Sequence, residues 1–120
     1  MENYVLRAAD QQVKELDFGS LCWFTSKELG NSETMTTGLC ILKSGAGNPR
    51  HYHPNCDEVL HVLQGRIVHT LGDDETELEE GDTISVPTNV IHSARNIGEG
   101  EARLFISFSS AERQAVFLEE

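Results

Sequence analysis

The chain has little of what would tie it to nucleic acid, a membrane or an oxidising compartment. Only 9 of its 120 residues are lysine or arginine, against 20 aspartates and glutamates, for a formal charge of −11. A surface of that sign repels phosphate backbones and anionic lipids, so neither nucleic acid nor a membrane surface is an expected partner. No window approaches the roughly 20 consecutive apolar residues of a membrane span. The opening "MENYVLRAADQQ" has no basic start followed by an apolar stretch, so it is not expected to be a secretory leader. Cysteine is sparse: Cys22, Cys40 and Cys56 form no C-x-x-C pair and are odd in number. The simplest account is three reduced thiols in a cytoplasmic protein, with Cys56 set apart only by lying inside the histidine segment. Low-complexity linkers and repeats of solenoid period are also missing, so residues 1–120 are expected to form a single domain with one core.

What is present is a succession of short segments rich in Val, Ile, Leu, Thr and Phe, punctuated by turn residues. Strands are expected at 36–43, 58–64, 66–71, 76–80, 83–87, 90–96 and 102–109, with tight turns at 72–75, 79–82 and 96–102. This spacing predicts an all-β sandwich or barrel and not alternating βα units. Helix is expected only as a turn or two in "AADQQVKEL" (8–16) and in "SSAERQAVFL" (109–118), where Ser109 and Glu112 are spaced as a capping box. The acidic run "GDDETELEEGD" lacks the D-x-D-x-D-G order of a calcium loop and reads as a solvated hairpin.

The segment that carries chemistry is "RHYHPNCDEVLHVLQG", Arg50 to Gly65. His51 and His53 are two apart, so on a strand both imidazoles share a face. "PNCD" ends that strand and reverses the chain, and Glu58 opens the next, within reach of the histidines. His92 is a further candidate. Three neutral imidazoles and one carboxylate form a borderline N3O donor set suited to Fe, Mn, Ni, Co or Zn, with positions left open. Such residues also occur idly on strand faces, and His61 and His69, with no partner at suitable spacing, are read that way.

The surroundings of the four residues resemble the cupin family. Its first pattern, G-x5-H-x-H-x(3,4)-E-x6-G, is met by "GAGNPRHYHPNCDEVLHVLQG" (45–65), and its second, G-x5-P-x-G-x2-H-x3-N, by "GDTISVPTNVIHSARN" (81–96). One departure stands out: Asn89 replaces the glycine, a mild change because Asn tolerates the left-handed backbone. The resemblance implies a double-stranded β-helix, a jelly-roll barrel of two antiparallel sheets. It also implies that His51, His53, Glu58 and His92 hold one divalent transition metal.

If Glu58 points inward, Leu60 and Val62 share its face. Val59, His61 and Leu63 then need cover from N-terminal residues or a second subunit, and a homodimer is expected. A divalent ion with one carboxylate ligand leaves a local charge near +1, which suits a small-molecule substrate presenting anionic or chelating oxygens. Arg50, Arg66 and Arg95 lie near the motifs and could anchor a substrate carboxylate, but strand parity turns Arg50 and Arg95 away from His51 and His92 and they read as surface residues; Tyr52, Trp23 and Met35 are not counted as site residues. The expected function is a metal-dependent small-molecule enzyme of oxygenase, isomerase, lyase or decarboxylase type, with no catalytic acid or base identified. The alternative is a non-catalytic sugar- or carboxylate-binding module. The retained ligands argue against a storage protein.

Overall fold

The computed structural model describes residues 1–118. Eleven strands follow in order: β1 (Val13–Leu16), β2 (Gly19–Thr25), β3 (Thr36–Leu42), β4 (His51–Tyr52), β5 (Glu58–Gln64), β6 (Arg66–Leu71), β7 (Asp74–Glu79), β8 (Thr83–Val86), β9 (His92–Asn96), β10 (Ala102–Phe108) and β11 (Val116–Phe117). They form two antiparallel sheets, ordered β1-β2-β3-β10-β5-β8 and β11-β4-β9-β6-β7. The fold is the jelly-roll β-sandwich expected from the sequence. No helix among the described residues is long and apolar enough to cross a membrane.

Period-two patterning explains the layers. Along β10, Ala102, Leu104, Ile106 and Phe108 are buried while the residues between them are half-buried. In β5, Glu58, Leu60 and Val62 turn inward, and Val59 and Leu63 stay 42% and 46% exposed on the outer face, as parity required. Leu42, Val62, Ile67 and Leu104 are fully enclosed between the sheets. Burying each side chain of this size stabilises the fold by about 1.5–3 kcal/mol.

The motif positions outside the donor set are structural. The Asn96 amide donates to the carbonyls of Leu42 (3.0 Å) and Gly100 (2.8 Å) and accepts from the Gly98 amide (2.9 Å), pinning the β9–β10 turn to β3. Gly65 has φ of +94°, and an added Cβ would lie 3.0 Å from the Ala102 Cα, so the β5–β6 reversal has no space for a side chain.

Two expected helical segments are corrected. Only Ala8–Asp10 forms a single 3-10 turn, and Val13–Leu16 is a strand whose backbone pairs with β2 from Val13↔Cys22 to Leu16↔Gly19. Sheet pairing satisfies these backbone groups over many residues, and this overrides a weak local helix signal. In 109–118, Ser109 does not cap a helix, because its hydroxyl accepts from the Asp57 amide (2.9 Å). The segment turns at 111–112 and ends in the short strand β11, where Phe117 pairs with His51. β1, β2 and β11 are strands that the sequence pattern did not single out, and the strand expected to carry His51 and His53 is the short β4.

Candidate metal centre

The two sheets each bring part of the donor set. Glu58 opens β5 of the six-stranded sheet, whereas His51 on β4 and His92 on β9 face each other as Cα partners in the five-stranded sheet. His53 follows β4 directly. All four are buried, and one donor atom from each lies within 4.8 Å of all the others. "PNCD" therefore does more than reverse the chain: it carries it from one sheet to the other, so that Glu58 faces the imidazoles across the interior.

Each imidazole is held from behind by a backbone carbonyl. Nδ1 of His51 contacts the Pro49 carbonyl (2.7 Å), Nδ1 of His92 that of Val90 (2.8 Å), and Nδ1 of His53 that of Gln114 (2.8 Å). A carbonyl only accepts, so each Nδ1 carries the proton and each neutral ring presents the Nε2 lone pair to the interior. The same outer support orients metal-binding histidines generally.

With the rings neutral, the donors face one another without protons between them. Nε2 of His92 and His53 lie 3.0 and 3.2 Å from the Glu58 carboxylate. In the neutral tautomer these are lone pairs opposed to an anion, an arrangement that a shared cation relieves. His53 Nε2 has no hydrogen-bond partner despite full burial. Burial also holds the His51 imidazole down at about 4, assisted by His92, so proton uptake there is unfavourable near neutral pH. For Glu58, burial raises the carboxyl pKa, but Nε2–H hydrogen bonds and positive charge from the His53 and His92 side outweigh it and hold it at about 2, the role that a bound cation takes over when both rings are neutral. The ionised carboxylate and three Nε2 lone pairs fit a divalent transition metal.

A cavity of about 480 Å³ adjoins this group, and His51, His53 and Glu58 line it with an otherwise largely apolar wall. Its volume suits a small organic ligand. Arg50, Arg66 and Arg95 are exposed, and Arg66 pairs with Glu77. The arginine that does line the cavity is Arg113, from the C-terminal segment, stacked 4.4 Å from the centroid of Trp23. Trp23 was not read as a site residue, but it lines the cavity. His69, read as idle, is fully buried with its ring 5.9 Å from that of His92 and nearly parallel to it. Its parity with Ile67 on β6 was the available sign that it faces inward.

With the sheets and the donor cluster in view, the comparison with known proteins is direct. The cupin domain family (Cupin_2) matches residues 38–108, and the chain belongs to that family. It is 35% identical over 85 residues to germin-like protein 3-8 of Oryza sativa subsp. japonica, covering 67% of this chain and 38% of that protein. It is 32% identical over 72 residues to polyketide synthase CurC of Streptomyces cyaneus, covering 60% of this chain and 47% of that one. The chain thus spans less than half the length of these relatives. In fold it is similar to oxalate decarboxylase from Bacillus subtilis, with a TM-score of 0.84 at 24% identity over 93% of this chain and 31% of that one.

Proposed function

We propose that the chain is a metal-dependent cupin enzyme, in which His51, His53, Glu58 and His92 hold one divalent ion and a small molecule is transformed in the adjoining cavity. The observation that carries this reading is the orientation of three Nε2 lone pairs and one carboxylate toward a common point at the cavity wall. A metal held there would supply Lewis acidity and, as iron or manganese, redox capacity. The protein's own contribution is a largely apolar chamber that orients the substrate's oxygens toward the donor cluster. Manganese is supported by the Mn(II) centres of the similarly folded oxalate decarboxylase.

A second reading, a non-catalytic ligand-binding cupin, is favoured by one feature. Apart from the donor set, the titratable groups lining the cavity are Lys14, Cys40 and Arg113, and burial pushes the Cys40 thiol up to about 12. None of these is poised as a general acid or base near neutral pH.

We further propose a homodimer joined through the outer face of the six-stranded sheet, where Val59, Leu63, Leu39, Ile41 and Phe105 leave an apolar surface exposed or half-buried. The three unpaired thiols support a cytoplasmic setting.

The test of the central reading is metal analysis of protein purified without chelators, followed by oxygen-uptake and turnover screens. Close to one transition-metal ion per chain, lost in His53→Ala while the β-sheet signal is kept, supports it. Wild-type protein that takes up no metal on reconstitution would remove it, and metal binding without turnover on a broad panel would favour the second reading.

A further inference from the structure

Arg113 is a cation placed on the wall of a largely apolar chamber. Its guanidinium sits 4.4 Å from the Trp23 ring centroid and 5.2 Å from that of Phe108, and the Phe108 ring in turn lies 5.0 Å from His53. Among the described residues, no ion pair or side-chain hydrogen bond engages it: Glu112 beside it pairs with Lys27 at 3.3 Å. Its backbone is fixed on both sides by one side chain, since Asn55 donates to the Glu112 carbonyl and accepts from the Gln114 amide, each at 2.9 Å. Gln114 also supplies the carbonyl that orients His53. Arginine position and metal-ligand position are therefore set by the same strap.

The rest of the chamber selects the kind of anion. Phe18, Leu60, Ile106 and Phe117 contribute apolar wall, and Lys14 is a second cation on the lining. Of the acidic side chains among the described residues, Glu58 alone lines it, although the chain carries 20 in all. A fork of five N–H donors without an ion-pair or hydrogen-bond partner among the described residues, held over an indole, matches one planar anion. A volume of about 480 Å³ with apolar walls is left for a carbon skeleton much larger than a two-carbon diacid.

We propose that Arg113, stacked on Trp23, is the specificity-determining residue of this cavity and selects a hydrophobic monocarboxylate, the carboxylate on the guanidinium and the apolar body against the β-sheet wall. This rests on reading the cavity as the substrate chamber of the metal centre. Arg113 reads charge, and the apolar wall reads size.

The test is calorimetric titration of the protein, as purified with its metal, using acetate, 4-methylpentanoate and the neutral 4-methylpentanamide. 4-Methylpentanoate should bind roughly tenfold or more tightly than acetate, because each buried methylene adds about 0.8 kcal/mol. It should exceed the amide by roughly tenfold to a hundredfold, the range for hydrogen bonds to a charged group. In Arg113→Gln the acid-over-amide preference should fall to near unity with metal content unchanged. Arg113→Met, which keeps the stem packed on Trp23, should behave alike if the glutamine variant folds poorly. An acid preference that survives both variants would place the anion on the metal and overturn the assignment, as would acetate binding as well as the longer acid. Absence of metal in the wild-type protein, with the Arg113-dependent preference retained, would sink the metal reading and leave this one standing.

Discussion

The backbone amide of Asn89 donates to the carbonyl of His53 at 3.0 Å, from a residue whose φ is +70°. Asn89 is the one non-glycine among the described residues in the left-handed region, at the position where the family pattern has glycine. The turn that precedes β9 and His92 is thereby tied to the segment carrying His53. A second link runs parallel to it: the Thr88 amide and hydroxyl donate to the Asp57 carboxylate, next to Glu58, at 2.8 and 2.7 Å.

Asn89→Gly should keep stability and metal content close to wild type, since glycine adopts this φ without strain. Asn89→Val should cost about 1–2 kcal/mol, because a β-branched residue is strained there. Urea unfolding of both variants, with metal analysis, measures the difference. Equal stability of the two would show that the turn relaxes out of the left-handed conformation.

Acid should weaken the metal-free protein in a defined window. His51 and His69 are both held at about 4 against an ordinary 6.5, in each case chiefly by burial and then by His92. The native state thus binds fewer protons than the unfolded chain between these values, so stability is intact above pH 6.5 and is lost as pH falls toward 4. The melting temperature of metal-free protein should be level from pH 8 to about 6.5 and drop below it. Metal should be released over the same range, because Nε2 must be unprotonated to ligate. A melting temperature that rises on acidification would contradict the buried neutral imidazoles.

Asn55 is the residue whose removal should uncouple the C-terminal strap. In Asn55→Ala, both hydrogen bonds to 112 and 114 are lost, at about 0.5–1.5 kcal/mol each. Metal affinity should fall by roughly tenfold to a hundredfold through the freed His53 support, as is usual when an outer partner of a ligating histidine is lost. Competition with a chelator of known affinity reads this out. Unchanged affinity would show that His53 is oriented without the strap.

Leu63 lies at the exposed apolar face of β5, 46% exposed. Leu63→Glu should convert the proposed dimer to a monomer with metal content unchanged, as measured by light scattering coupled to size exclusion. A wild-type protein already monomeric at micromolar concentration would remove the dimer.

The sequence by itself determined most of the sheet-forming segments and singled out the four candidate donors. Alternation in β3, β5 and β10 is a short-range property: every second side chain faces one way whatever the partner strand. The family spacing around His51, His53, Glu58 and His92 has the same local character, because turn residues fix how far each candidate ligand stands from the next. Only the tertiary structure decided the rest of the chamber. Arg113 and Trp23 lie 90 positions apart in the chain, and their meeting depends on closure of the sandwich. The His53–Gln114 contact spans 61 positions, and the Asp57–Ser109 contact that displaced the expected helix cap spans 52. No periodicity signals such pairs, since they form only when sheet pairing outcompetes the local preference of each segment.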